Sequence, residues 1–581
     1  MPTHAALHRP ALTRLAPAAT AVVAVAAVAD TAIALLLPAV AAHVIDQVVA
    51  APGSFWLVLA LSGLLVAGTL TEMGSRVAEV AVTTRVAVAL RDRLTRHVFA
   101  LGVPGTRRHP TGDLVTRLTG NSATAATLVP GQVNAAVAGA TSLGGLVALW
   151  LVDWRMGAVF VVMVIPLLLV LRLLLRRVTV SYGEYLERQG DIAARLTDAL
   201  SGSRTIRACG TTWREIHRVL EPLPGLAKAG LATWQAQRNT FWQVDLALTA
   251  LRVAVLIAAG LGVADGRLSA GRFLEAALYL SYALGFLEQV DGLVHLADAR
   301  ANAGRVFDVL SARPHPRPRG GAAAIAGILP PGPGALSFRR VSVRYGERTV
   351  LRAVDLDIPP GAAVALVGRS GAGKTTLALL AGRLADPDEG EIVLDGVRVD
   401  AIELRALRRE VAYAFDRPVL LGRTVRDALA YGLENTSDAR ILPAVTVAHA
   451  DGFLRLLPEG IDTPLAATHL SGGELQRLGL ARAVAHGGRV LVLDDATSSL
   501  DTVTEAQVTQ ALTEGLAGRT RLVVAHRAAT AARADLVAWL DEGRIRALAP
   551  HARLWMEEPD YRAVFAAEPR SHENDLNEDT P

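Results

Sequence analysis

Cysteine and lysine are nearly absent from this sequence. One cysteine, Cys209, among 581 residues excludes an intrachain disulfide, and standing alone it reads as an inert, packed thiol. Only two lysines occur, Lys228 and Lys374, so arginine is the default cation among the 59 basic residues. A net charge of +4 is small for this length, and no basic run marks a nucleic-acid surface. No nucleic-acid partner is therefore expected. What the chain has in excess is apolar residues, at 51%, with a mean hydropathy of +0.33. The excess is concentrated before residue 300, which points to membrane segments followed by a separate domain. A chain this long cannot fold around one core.

Six apolar stretches are long enough to span a bilayer, near 16–37, 54–73, 133–152, 156–175, 241–263 and 270–290. The first is too long and uninterrupted for a cleaved signal peptide and reads as a retained span. The connections Val49 to Ser54, Asp153 to Arg155 and Asp265 to Arg267 are short and nearly uncharged. Two longer ones, of about 60 residues each, carry Arg91, Arg93, Arg96, Arg107, Arg108 and Arg117, and Arg195, Arg204, Arg207, Arg214 and Arg218. The positive-inside rule places both long connections, both termini and the C-terminal domain in the cytoplasm, in a multi-pass protein of the cell membrane. Both stay helical in pattern, broken chiefly at Pro104-Gly105 and Pro110, so they read as spans that continue into the cytoplasm and turn back. Asp30, Glu72, Asp245, Arg252, Glu275 and Glu288 fall in or near the spans. Charge in hydrocarbon is costly. Either these residues line an acidic cavity for cationic or polar cargo, or they pair between helices, as Asp245 and Arg252 could along one helix face.

Chemistry concentrates in two later stretches. Gly368-Arg369-Ser370-Gly371-Ala372-Gly373-Lys374-Thr375 is GxxxxGK[ST] between an apolar run, Val364 to Val367, and a helical pattern. Its glycines let the backbone wrap phosphate oxygens, Lys374 neutralises the β- and γ-phosphates, and the Thr375 hydroxyl ligates Mg²⁺. In a chain that otherwise uses arginine, a lysine at this point argues for a compact point charge. The second stretch, Leu470 to Asp501, opens a helix with Leu470-Ser471-Gly472-Gly473-Glu474, whose free N–H groups suit a phosphate. It continues to the buried-strand pattern Val490-Leu491-Val492-Leu493-Asp494, which delivers Asp494 and Asp495 to the carboxyl end of a sheet.

LSGGE, the P-loop and VLVLDDATSSLD together resemble the ATP-binding cassette (ABC) transporters. The likeness implies a fold class of an α-helical six-span transmembrane domain followed by an α/β P-loop NTPase. The domains are then 1–310 in the membrane with long cytoplasmic helical extensions, a Pro/Gly-rich linker at 311–335, the ATP-binding cassette at 336–568 and an acidic disordered tail at 569–581. ATP and Mg²⁺ are the implied ligands. Tyr345 matches the aromatic that stacks on adenine. Gly368, Ser370, Gly371, Gly373, Lys374, Thr375 and Thr376 match the phosphate loop. Thr375, Asp416 and Asp494 match the Mg²⁺ positions, and Asp495 and His526 the catalytic base and the switch histidine. Ser471, Gly472 and Gly473 match the signature that completes the site of a second cassette. Thr111 to Leu118 and Ser201 to Ala208 look like the segments that precede the two coupling helices, and Ala303 to Asp308 like the exit from the last span. No papain-like peptidase domain precedes the first span, so leader-peptide cleavage is not expected.

The departures from the family pattern are informative. Asn121 stands where the family usually has Asp, and Thr212 where it often has Glu. The catalytic glutamate is replaced by Asp495, which retreats by roughly 1.5 Å, in a role worth about 10²–10⁴ in rate. The glutamine that joins Mg²⁺ to the coupling region is replaced by Asp416, which cannot donate a hydrogen bond at neutral pH. The segment Asp462 to His469 looks shortened and lacks the family's glutamate. An intact signature beside a weakened base resembles one half of a heterodimeric exporter of a small molecule, lipid or peptide. In that arrangement a second half-transporter supplies the better base. The alternatives are a slow homodimer, or an ATP-binding gating or regulatory membrane subunit without net pumping.

Overall fold

A computed structural model describes residues 17–50, 55–106, 109–315, 329–433, 437–516 and 518–566. The connection 51–54, most of the Pro/Gly-rich linker and the acidic tail lie outside the described residues. The chain forms two compact units, Met1–Leu94 with Val115–Leu310, and Thr95–Leu114 with Ser311–Pro581.

The first unit is built of long helices: α1 (Pro17–Ala50), α2 (Phe55–Ala100), α3 (Leu128–Val152), α4 (Trp154–Ser201), α5 (Leu223–Ala264), α6 (Ala270–Glu288) and α7 (Val290–Ser311). Every backbone polar group in a bilayer must be satisfied within its own segment, which is why apolar runs here form unbroken helices. Among the described residues, five stretches are long and apolar enough to cross a membrane: Thr20–Val48, Phe55–Ala100, Thr111–Val152, Trp154–Leu173 and Thr212–Ala264. The sixth expected span is helical as α6, and it packs against α1 and α3. Its bounds, Ala270–Glu288, coincide with the expected stretch 270–290. The long arginine-bearing connections are helical, as their pattern predicts. They turn at a five-residue helix, Gly102–Thr106, and at the helices Ser203–Ala208 and Thr212–Leu220. Cys209 follows Ser203–Ala208 and is exposed rather than packed.

Short polar caps fix the tight turns of this unit. Asp153 accepts the Arg155 N–H at the start of α4 and pairs with Arg267 at 2.8 Å. Asp46, near the end of α1, accepts the Ser269 hydroxyl and, at 2.9 Å, the Gly271 N–H, so its carboxylate sits on the α6 N-terminus, where an anion is favoured. The approach is close: a Cβ on Gly271 would lie 2.3 Å from the Ala42 carbonyl oxygen and 2.7 Å from Asp46 Cγ. Gly271→Ala should therefore cost about 1–3 kcal/mol through overpacking. The check is a lower thermal midpoint of the detergent-solubilised protein; an unchanged midpoint would contradict the tight α1–α6 contact.

Segment 95–114 belongs with the C-terminal unit. The His315 N–H donates to the Ala100 carbonyl at 3.0 Å, His97 Nε2 lies 3.0 Å from the Ala312 carbonyl, and Val103 packs against the C-terminal core. The docking element is thus Gly102–Thr106, which comes before residues 111–118 in the chain rather than after them. Gly102, with φ of 63°, and Pro104 end α2 early enough to form it.

The C-terminal unit has two sheets among the described residues. The strands are β1 (Leu336–Tyr345), β2 (Arg348–Ile358), β3 (Ala363–Val367), β4 (Glu389–Leu394), β5 (Val397–Arg398), β6 (Val411–Phe415), β7 (Val490–Asp494), β8 (Thr520–Val524), β9 (Leu536–Asp541) and β10 (Arg544–Ala549). One sheet runs β2-β1-β4-β5, and the other β10-β9-β3-β8-β7-β6. In the second, neighbours from β9 to β6 are parallel, and β3 and β7 are buried along their whole length, as their unbroken apolar runs require. Helices α8 (Lys374–Ala381), α9 (Gly472–His486) and α10 (Thr502–Gly515) follow the P-loop, open with the signature and follow β7. Arg489 anchors the end of the linker, donating to the Pro330 carbonyl and to Asp395 and Glu410.

Candidate functional site

Strand register assembles the site. Leu366 of β3 pairs with Val524 of β8, Val524 with Asp494 of β7, and Asp494 with Phe415 of β6. The next residues of these strands therefore leave the sheet side by side at its carboxyl edge. They are Gly368, Asp495, Asp416 and Ala525, with His526 one residue further on.

Between β3 and α8 the chain forms a loop that only glycine can follow. Gly371 and Gly373 have φ of 80° and 107°, and a Cβ on Gly368 would lie 2.2 Å from the Leu540 carbonyl oxygen. Ser370 is exposed at the loop tip, while Thr376 is buried in the first turn of α8. Lys374 heads that helix and is buried, its Nζ donating to the Gly368 carbonyl at 2.6 Å and to Arg369 at 3.2 Å. Burial pulls its pKa below the usual lysine value, and Asp495 and Asp494 oppose that shift. Thr375 Oγ1 donates to Asp494 Oδ1 at 3.1 Å. Burial pushes the Asp494 carboxyl up, against the Thr375 hydrogen bond. A buried carboxylate beside a hydroxyl is the all-oxygen donor set that Mg²⁺ accepts together with substrate phosphates. Asp416 stands apart from that pair: its carboxylate is exposed, 3.8 Å from Arg417 Nε.

Asp495 has φ of 54°, a left-handed conformation that aspartate tolerates better than most residues. Its carboxylate lies 2.9 Å from His526 Nε2, so the two residues assigned to the γ-phosphate touch each other. Tyr345 ends β1, half-buried, and pairs across the hairpin with Arg348. The Arg348 guanidinium lies beside Gly371 and lines a cleft of about 510 Å³ with Gly371 and Ala372. No spacing rule in the sequence singles out this arginine.

The signature opens α9. Ser471 is the N-cap, accepting the Glu474 N–H, while Glu474 accepts the Ser471 N–H at 2.8 Å in a capping box. That backbone bond holds the Glu474 carboxyl below its usual range. Gly472 and Gly473 follow, resting on Ser499. Among the described residues no hydrogen bond or ion pair joins Ser471, Gly472 or Gly473 to the P-loop of the same chain. One turn on, Gln476 is buried and makes three hydrogen bonds, to Asp416, Ser498 and Ser499. The sequence signal was present: Gln476 lies on the buried stripe with Leu480 and Ala483, where a polar residue needs buried partners.

Residues 20–287 match the ABC transporter transmembrane region, and 351–498 the ABC transporter domain. ABC transporter ATP-binding protein RamA of Streptomyces coelicolor is 44% identical over 482 residues, spanning 82% of this chain and 74% of that protein. This chain belongs to the ABC transporter family. The transporter is also 30% identical over 508 residues to the ATP-dependent lipid A-core flippase of Chromobacterium violaceum, spanning 86% of this chain and 85% of that one. A bacterial Atm1-family ABC exporter with ATP bound shares its fold, with a TM-score of 0.73 and 23% identity over 96% of this chain and 99% of the other. The transporter is thus an ATPase coupled to transport, with a helical membrane region and an ATP-binding domain.

Its membrane unit holds a cavity of about 710 Å³ whose lining includes Asp30, Glu72, Arg76, Glu79, Asn134 and Tyr282. Of the ionisable residues singled out in the spans, Asp30 and Glu72 line it. Asp245, Arg252 and Glu275 do not, and the Glu288 side chain falls outside the described residues. Glu72 lies 3.3 Å from Arg76, and Glu79 accepts a hydrogen bond from Asn134 at 3.0 Å. Pairing and cavity lining therefore coexist here.

Proposed function

We propose that this transporter is one half of an ATP-driven exporter that holds ATP at a slow site of its own and lends its signature to a partner's site. The observation that carries the reading is the contact between Asp495 and His526, beside a signature that is capped and, among the described residues, not joined to the P-loop of its own chain. In this reading Tyr345 stacks on adenine. The backbone N–H groups at Gly368, Ser370, Gly371 and Gly373 face phosphate oxygens, helped by Thr376, and Lys374 carries the charge. Thr375 and Asp494 would hold Mg²⁺, with Asp416 behind them; when bound, the ion neutralises charge on the phosphoryl group being transferred. Asp495, short and turned to His526, orients the attacking water poorly, so ATP persists. Ser471 and the N–H groups of Gly472 and Gly473 close the partner's site, which fits an anion at a helix start.

The remaining assignments follow from charge. Arginine-rich connections put both termini and the ATP-binding domain in the cytoplasm. A cavity lined, among the described residues, by three carboxylates against one arginine favours cationic or polar cargo, in keeping with export of a small molecule, lipid or peptide. A companion half-transporter with glutamate at the position of Asp495 would supply the faster site. The test uses inside-out vesicles carrying the transporter in its native complex and a labelled amphiphilic cation. ATP-dependent uptake is expected; uptake that is equal without ATP would contradict export.

A further inference from the structure

We infer that Gln476 is a positioning residue that couples this transporter's own nucleotide site to the signature it presents. The inference rests on the shared-site reading above. The Gln476 side chain is 2% exposed. Its Nε2 donates to the Asp416 carbonyl at 2.8 Å and to Ser498 Oγ at 2.9 Å, and its Oε1 accepts the Ser499 N–H at 2.8 Å. An amide offers two donor protons and an acceptor oxygen. These bonds use both protons and leave no polar atom of the side chain unpaired. No other residue type of this size supplies the same set.

Three segments meet at that amide. One leaves β6 and carries Asp416 at the nucleotide edge. The second follows Asp494 and Asp495, and the signature glycines rest on it: a Cβ on Gly473 would lie 3.3 Å from the Ser499 carbonyl oxygen. The third is α9 itself, which starts at the signature. The same helix face grips residues 416–419 twice more. A Cβ on Gly479 would lie 2.5 Å from Pro418 Cβ, and Arg482 donates to the Val419 carbonyl at 2.8 Å. Among the described residues only Gln476 joins this strap by hydrogen bonds to Ser498 and Ser499 as well. A displacement of Asp416 on nucleotide binding must therefore pull on Gln476 or break its bonds. Because α9 is one unbroken helix from Gly472 to His486 with Ser471 as its N-cap, the pull reaches Ser471, Gly472 and Gly473.

The test compares the purified full-length transporter with Gln476→Leu, which removes all three bonds at similar volume, and Gln476→Glu, which keeps the shape but loses the donor protons. Two readouts are taken: retention of labelled ATP, and hydrogen exchange of the peptides covering 470–475 and 497–501 with and without Mg-ATP. The relevant protection is the part removed by Lys374→Ala, which comes from the transporter's own site. In both variants this part should fall about five-fold or more while ATP retention stays within about two-fold of wild type. A purely structural role would lower retention together with protection. Wild-type protection in a variant that still retains ATP overturns the inference, as does loss of retention in both variants. A wild-type protein that retains no ATP would instead strike at the shared-site reading.

Discussion

Lys374→Ala is expected to abolish ATP retention by the purified transporter, weakening it by about 10²-fold or more, the worth of two charge-assisted bonds to phosphate. The lysine is one of two in the chain, and its ammonium is held inside the glycine loop by the Gly368 and Arg369 carbonyls. It also faces Asp494 and Asp495, so its removal leaves these carboxylates with less compensation beside an incoming triphosphate. Alanine is a good helix former, and α8 should keep its start. The loss should therefore appear in binding while the thermal midpoint changes little. Lys374→Arg should rescue little, because a planar fork cannot replace a compact charge in this loop. Retention by Lys374→Ala within a few-fold of wild type would contradict the assignment of the loop.

Asp495→Glu should speed hydrolysis at the transporter's own site by about ten-fold or more, part of the 10²–10⁴ that a well-placed base supplies. Asp495 leaves β7 in a left-handed conformation, and its carboxylate reaches only as far as His526. A side chain longer by about one C–C bond, roughly 1.5 Å, extends past the histidine toward the position of a nucleophilic water. The gain should fall on kcat with KM nearly unchanged, since the substitution touches chemistry and not nucleotide binding. Turnover that stays flat or declines in Asp495→Glu would mean that the acid's length does not limit the rate.

Much of the site was legible because its signals are local. A glycine loop between an apolar run and a helical pattern, and an apolar run ending in two aspartates, each carry their geometry in a few consecutive residues. Asp416 and His526 were placed through family likeness, and what brings their strands beside that of Asp494 is strand register, a non-local property that a single sequence does not fix. The contact between Asp495 and His526 was invisible for the same reason. Gln476 was overlooked because its partners are a backbone carbonyl, a serine and a backbone N–H, none of which marks a motif. In the membrane unit, hydropathy found the long helices. It also found α6, at Ala270–Glu288 against the expected 270–290. The docking of Gly102–Thr106 depends on packing against residues more than two hundred positions away, and the exposure of Cys209 is set by tertiary packing that its neighbours in sequence do not reveal.

The central claim is that this transporter holds ATP without promptly consuming it. Its most direct test is the identity of the nucleotide that the purified full-length protein retains after brief incubation with labelled Mg-ATP and rapid removal of free ligand. The account predicts intact ATP on the wild-type protein and none on Lys374→Ala. Retained ADP with prompt phosphate release, at a rate that Asp495→Glu does not exceed, would contradict it.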